Sequence, residues 1–280
     1  MKLSIYAGSV ADGTLRGAIQ YCKDLEIERL VVPLDPIKYG HLIPRYAETG
    51  YLELEDLKKI KQEIENAGLS LAVMQLWPFM AVGAPETDAR LDNLGRTMDA
   101  MGGCGVQILS YFAGIDRSLK LDAEQARWDL MADHYRKLMA LAERSGVKVA
   151  LHTGGDLWTS QGLDRLMREF PSPYNGVCLC TGNSWRFEGQ GIYDWIRRLG
   201  DKVFHVHLRG VRLVPGDPRE QWLWFGRGEP DMRKILQALR DIDYRGELHA
   251  EHLPGVVGER DEEIRTAFAI GYMRAAMQFG

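Results

Sequence analysis

Short apolar runs alternate with amphipathic helical patterns along the whole chain, and the alternation repeats eight times. No other feature narrows the fold so far. The strand-like runs are Leu3–Ala7, Arg29–Pro33, Ser70–Gln75, Val106–Tyr111, Val147–His152, Gly176–Thr181, Lys202–Leu208 and Glu247–Glu251. Each is short, rich in Val, Leu or Ile, and flanked by Gly, Pro or Asp. Strands buried on both faces of a parallel sheet read this way.

Helical patterns fill the gaps. Leu54, Leu57, Ile60, Ile64 and Ala67 step by three and four residues, and Gly68 ends the pattern. From Ala123 to Arg144, a stripe of Trp128, Met131, Tyr135, Leu138 and Leu141 runs up to a stop at Gly146. Asp231 is placed to cap a helix carrying Ile235, Leu236 and Leu239. A last helix, from Asp261, is expected to present Ile264, Phe268 and Tyr272. Eight strand–helix units predict an α/β fold, a closed (β/α)8 TIM barrel. Such a barrel uses roughly 250 residues. A chain of 280 leaves little for anything else, so one domain over residues 1–280 is expected. An open doubly wound sheet is the competing architecture. No GxGxxG or P-loop stands at a strand–helix junction to support it.

Composition removes several function classes. A net charge of −4 speaks against a dedicated nucleic-acid binder, which usually has a basic face. No run approaches 18 apolar residues, so no membrane span and no membrane partner are expected. The first residues, Met1-Lys2-Leu3-Ser4-Ile5-Tyr6, read as a strand and lack the apolar region of a signal peptide. Four cysteines, Cys22, Cys104, Cys178 and Cys180, are sparse for this length. A cytoplasmic protein with reduced thiols is the expectation. A homo-oligomer is compatible with the sequence.

Two segments are longer than a barrel connection needs. One runs from Asp35 to Tyr51 and carries His41, Arg45 and Tyr46. The other runs from Gly210 to Pro230 and carries Trp222, Trp224, Phe225 and Arg227. Both follow strands, which places them on the C-terminal face where barrel active sites lie. Aromatic loops in that position often act as lids, with a surface insertion or subunit contact as the alternative.

Five of the seven histidines fall at the ends of three late strands: His152, His205, His207, His249 and His252. Cys180 and Glu251 end two strands as well. Four consecutive strands thus each deliver one donor: His152, Cys180, His207 and Glu251. Side chains two apart in a strand face the same way, so His205 shares a face with His207, and His249 with Glu251. Two imidazoles, a thiolate and a carboxylate suit a divalent transition metal better than magnesium or calcium. Cys178 is read as a small core residue. Gln75 and Tyr111 end two further strands and could meet a substrate hydroxyl. Trp224 and Arg227 could close over a sugar.

The segment Asn175-Gly176-Val177-Cys178-Leu179-Cys180-Thr181-Gly182 resembles the "NG…LCTGS" stretch of the mannonate dehydratase family. Val206-His207-Leu208-Arg209 resembles its "VHLRN" segment, with Gly210 in place of Asn. Gly146–His152 resembles its "GVK.A.HP" strand, and Asp231-Met232 followed by Tyr244-Arg245-Gly246 resembles the stretch before its final acidic–His pair. That family belongs to the xylose-isomerase-like barrels. The resemblance implies a divalent ion, manganese first, with Fe2+, Co2+ or Zn2+ also compatible. It would be held by His152, Cys180, His207 and Glu251. The resemblance also implies that His252 is the acid/base group, and that Arg209 is a catalytic and substrate-binding cation.

The chain departs from the family in several places. Glu251 stands where the family has Asp. Thr153-Gly154-Gly155-Asp156 replaces a proline- and aspartate-rich loop. Trp222 and Phe225 stand where Glu and His are usual, and the chain is shorter. These changes surround the substrate rather than the metal ligands.

Four readings follow. The first is a lyase that dehydrates a D-mannonate-like sugar acid to a 2-keto-3-deoxy acid. The second is a sugar or sugar-phosphate isomerase or epimerase of the wider superfamily. The third is a non-catalytic barrel that binds a sugar acid. A nuclease is the fourth and least supported, for want of further ligands and a basic face.

Overall fold

Eight parallel strands close into a barrel: β1 (Lys2–Tyr6), β2 (Arg29–Leu34), β3 (Ser70–Leu76), β4 (Ile108–Tyr111), β5 (Lys148–His152), β6 (Asn175–Cys180), β7 (Val203–Leu208) and β8 (Glu247–Ala250). Each strand pairs with its neighbours in the sequence, and β1 pairs with β8 to complete the ring. The computed structural model describes residues 1–280 apart from 11, 78, 155–156, 217–219, 256–260 and 280. All eight runs expected from the sequence are barrel strands, with no end displaced by more than two residues. Glu251 lies one residue past the end of β8.

Hydrogen-bonding side chains and glycines set where the helices start and stop. Asp231 accepts from the backbone N–H groups of Arg233 and Lys234, at 2.9 and 3.4 Å, and starts the helix Met232–Asp241. Thr14 and Thr159 cap Leu15–Asp24 and Ser160–Glu169 in the same manner. The helix Glu124–Ser145 ends at Gly146, whose φ of +69° is the left-handed conformation that glycine adopts without penalty. Its stripe is buried at Trp128, Met131, Tyr135 and Leu138, and Leu141 is half-buried.

The last helix, Asp261–Phe279, does not present the expected stripe to the core. Thr266, Ala269, Ile270 and Met273 face inward, whereas Ile264 and Phe268 are 52% and 47% exposed. The helix has apolar residues on two sides. The second side receives the loop after β7, with Phe268 against Trp224 at a ring distance of 4.6 Å and Tyr272 against Phe225 at 5.7 Å.

Short strands decorate the rim. Gly210–Leu213 pairs antiparallel with Glu220–Leu223, so the Gly210–Pro230 segment contains a two-stranded ribbon. Met80–Val82 pairs parallel with Ala113–Ile115. The Asp35–Tyr51 segment contains the helix Pro44–Thr49. Among the described residues, no helix is long and apolar enough to cross a membrane. All four cysteines are free thiols.

Alternation along β7 divides the chemistry. Val206 and Leu208 join the apolar layer between barrel and helices, while His205 and His207 point into the barrel. Cys180 is paired with His207 across β6 and β7, and His207 with His249 across β7 and β8. Three neighbouring strands therefore bring thiol and imidazole side chains to one height.

Candidate functional site

His152, Cys180, His207 and Glu251 converge at the C-terminal end of the barrel. His152 Nε2 lies 3.1 Å from His207 Nδ1, and that same nitrogen is 3.4 Å from Glu251 Oε2. The Cys180 thiol is 3.5 Å from Glu251 Oε2. Single donor atoms of His152, Cys180 and Glu251 all lie within 4.8 Å of one another. His152 Nδ1 and His207 Nε2 are buried without a partner among the described residues. Two facing imidazole nitrogens at this depth, His152 Nε2 and His207 Nδ1, next to a thiol and a carboxylate, fit a transition-metal site. They are a poor fit to a packed apolar barrel end.

Electrostatics prepares the four groups differently. Burial, helped by His207, pulls His152 down to about 3, so its imidazole is neutral and free to ligate. Burial would raise Glu251, but His207 and His252 outweigh it and hold the carboxyl well below the usual range. Cys180 is pushed up to about 11, chiefly by burial and also by Glu251, with Arg209 opposing. Its thiol is therefore protonated at neutral pH until something displaces the proton. Cys180 is also the residue from which the helix Thr181–Glu188 starts, where the helix dipole favours a thiolate.

Arg209 is buried beside the thiol. Its Nη1 is 3.4 Å from Cys180 Sγ and 2.9 Å from Asn183 Oδ1. Its Nη2 forms an ion pair with Glu220 from the ribbon, so the ribbon clamps the arginine in place. His252 sits at the rim with Nε2 3.5 Å from Glu251 Oε1, and the Trp222 ring lies 4.6 Å from its own. The His252 backbone has φ +49°, a left-handed conformation that costs a non-glycine residue on the order of 1–3 kcal/mol. Strain of that size concentrates at functional sites.

A cavity of about 390 Å³ opens above these groups, its wall including Tyr6, Tyr39, Gln75, Trp77, Trp222 and His252. A deeper pocket of about 190 Å³ adjoins it and reaches Ser110, Phe112, His152, Asn183 and Arg209. Gln75 lines both, and its side-chain oxygen is buried without a partner among the described residues.

Three expected site residues are not at the site. Tyr111 is completely buried on the outside of the barrel, its hydroxyl 2.6 Å from His134 Nε2 on the helix Glu124–Ser145. Its neighbour Ser110 takes the inward position, because alternate residues of a strand face opposite ways. Trp224 packs on Phe268 instead of over the mouth. The ribbon strand ends at Leu223, so the alternation that aims Trp222 does not reach Trp224. Arg227 is exposed in the following turn, where its backbone N–H donates to the Trp224 carbonyl at 3.0 Å.

Cys178 packs with Ala150 and Phe204 as expected. Its sulfur also comes within 4.8 Å of His152 and His207 donor atoms. Gly155, Asp156 and residues 217–219 lie outside the described residues. Trp77, Phe112 and Asn183 were missed by sequence reasoning. Each lies within three residues after a strand, a position that could have flagged it. Lys38 and Tyr39 belong to the long loop after β2, where composition carries no comparable signal.

A closed barrel with a His/Cys/Glu cluster at its C-terminal rim defines a class. The family model for the xylose isomerase-like TIM barrel matches residues 41–275, and the chain belongs to that family. Mannonate dehydratase 2 of Halalkalibacterium halodurans is 21% identical over 276 aligned residues, covering 74% of this chain and 80% of that protein. Among solved structures, mannonate dehydratase from Streptococcus suis serotype 2 superimposes with a TM-score of 0.77 at 17% identity, covering 99% of this chain and 93% of that one. The IOLI protein with a bound zinc atom gives 0.76 at 17% identity, covering 99% and 98%. D-allulose 3-epimerase from Methylomonas sp. gives 0.70 at 17%, covering 99% and 98%. Structural likeness at such identities establishes the fold. Dehydratase and epimerase share that fold, so the reaction has to be argued from the site.

Proposed function

We propose that the chain, acting as one barrel domain over residues 1–280 in the cytoplasm, is a metal-dependent lyase that removes water from a mannonate-like sugar acid. The observation that carries this reading is the convergence of His152, Cys180, His207 and Glu251 beside His252 and Arg209. These four residues would hold a divalent transition metal, manganese being the first candidate. When bound, it would stabilise the negative charge that builds on the carboxylate and hydroxyl oxygens of the substrate.

The chain's own residues supply the rest. Arg209 is held rigidly by Glu220 and Asn183, and places a fixed positive charge beside the inner pocket, where an acid group would sit. Gln75 offers an unpaired oxygen to a substrate hydroxyl on the opposite wall. His252 lines both cavities and accepts the proton from the carbon next to the carboxylate at Nδ1, the nitrogen not turned to Glu251. The electrons of that C–H bond form the C=C bond as the neighbouring hydroxyl departs. His252 then returns the proton to the leaving oxygen, so that water is lost and the enol becomes a 2-keto-3-deoxy acid. The Trp222 ring, tilted against that of His252, shares the cavity wall with it.

The second reading, a sugar isomerase or epimerase, is favoured by Glu251. The longer carboxylate stands where resemblance to the dehydratases calls for aspartate.

The deciding experiment incubates metal-loaded protein with a panel of aldonic acids and ketoses. A 2-keto-3-deoxy acid is expected from at least one aldonic acid. His252→Asn should lower kcat by about 100-fold or more while leaving metal content unchanged. Epimer or ketose formation without water loss would replace the lyase with the second reading. Tight binding without turnover would replace it with a sugar-acid binder.

A further inference from the structure

Beside and below the rim set the barrel holds a second group of imidazoles, of which the proposed reaction uses only His207. His205 and His249 each lie two residues before a rim residue, His207 and Glu251, and face the barrel interior with it. The rings of His205 and His249 are each 4.8 Å from the ring of His207, and 6.1 Å from each other. One ring nitrogen from each of the three lies within 4.8 Å of the others. All three residues are buried, with exposures of 0%, 0% and 5% for His205, His207 and His249.

Among the described residues, neither nitrogen of His205 has a hydrogen-bond partner, nor does Nε2 of His207 or Nδ1 of His249. A neutral imidazole always carries an N–H, and leaving one buried and unpaired costs about 1–3 kcal/mol. Aliphatic side chains fill the interior of such a barrel without that cost. His205 in particular must bury an N–H that nothing accepts, an expensive choice if the group answers only to packing. A cation among the three rings would engage lone pairs that no described group satisfies, with His205 keeping its N–H on the nitrogen that does not ligate.

His207 can serve two sites. Its Nδ1 faces His152 and Glu251, at 3.1 and 3.4 Å, while Nε2 is left over. By losing its one N–H proton to solvent, the ring offers a lone pair in each direction. The plane of His249 is held by Tyr6, stacked at 5.2 Å with an interplanar angle of 15°. His249 also lines the mouth cavity, which provides an entry path. Three nitrogens without sulfur or oxygen select a transition ion such as Zn2+, Co2+, Ni2+ or Cu2+ over magnesium or calcium.

We propose that His205, His207 and His249 form a second, all-nitrogen transition-metal site adjoining the rim set and share His207 with it. The claim goes beyond the lyase reading and does not need it.

The test titrates chelator-stripped full-length protein with Co2+, counting bound metal by mass spectrometry and following the near-ultraviolet thiolate-to-cobalt band. Wild type is expected to bind about two equivalents, with the band arising from one of them. Cys180→Ala should keep about one equivalent and lose the band. His205→Gln and His249→Gln, made separately and checked for folding by circular dichroism, should each keep about one equivalent with the band intact. Either variant alone suffices if the other fails to fold. A wild type that binds about one equivalent with the band, or histidine variants that still bind about two, would overturn the proposal. About one equivalent without the band, retained in Cys180→Ala, would keep this site and remove the rim set instead.

Discussion

Cys180 shows how one side chain can set a binding equilibrium. Burial and the Glu251 carboxylate push its thiol up to about 11, and Arg209 at 3.4 Å only partly offsets them. The free protein therefore carries the proton throughout the neutral range, whereas a metal-bound sulfur is a thiolate. His152, drawn down to about 3, has already lost its proton and adds no such dependence. Metal uptake must then release the thiol proton, so affinity rises with pH. We expect the apparent affinity of the rim site to increase about tenfold per pH unit between about pH 6 and 8. Chelator-competition titrations at three pH values measure this. A flat profile would mean that the sulfur is not a ligand. Cys180→Ser retains a donor that hardly ionises and should show the weaker, flatter profile.

Strand parity operates at the scale of elements. It carries His205 and His207 into the barrel from β7, and by the same rule carries Tyr111 out of it from β4. Tyr111 thus belongs to the joint between β4 and the helix Glu124–Ser145, where its hydroxyl meets His134. Tyr111→Phe should destabilise the fold by about 1–3 kcal/mol through the buried, unmatched imidazole. It should leave kcat and metal content as in wild type. Urea unfolding and steady-state kinetics on one preparation separate the two effects. A collapse of kcat at unchanged stability would return Tyr111 to the site. The ribbon Gly210–Leu213/Glu220–Leu223 acts at the same scale. It delivers Glu220 to Arg209 and Trp222 to His252, joining the rim to the site at two points.

Acid response belongs to the whole molecule. His134 is held down to about 4, and His152 and His249 to about 3, in each case chiefly by burial. Burial and the neighbouring imidazoles hold His205 well below its ordinary range too. These groups stay neutral in the folded chain and protonate near their ordinary value of 6.5 in the unfolded one. Their contribution is therefore complete above about pH 6.5 and is lost as pH falls towards 4 and then 3. Each can remove up to about 1.4 kcal/mol per pH unit across that window. The urea midpoint of metal-free protein should fall steadily from about pH 6.5 to pH 4.5, and a constant midpoint would mean that these histidines are not buried neutral. The steepness of the fall reports how many of them the barrel closes over.

The number, order and approximate limits of the eight strands could be read from the chain, because apolar runs and capping residues are local properties. So could the convergence of His152, Cys180, His207 and Glu251, since closing a barrel sends the ends of consecutive strands to one rim. The direction of Tyr111, the outward turn of Ile264 and Phe268, and the choice of Trp222 over Trp224 could not. Each depends on which of two faces meets a neighbour, and apolar residues occupy both faces. The shared height of His207 and His249 depends on strand register, and the unpaired nitrogens of these two and His205 depend on everything packed around them. Both arise only when β6, β7 and β8 lie side by side.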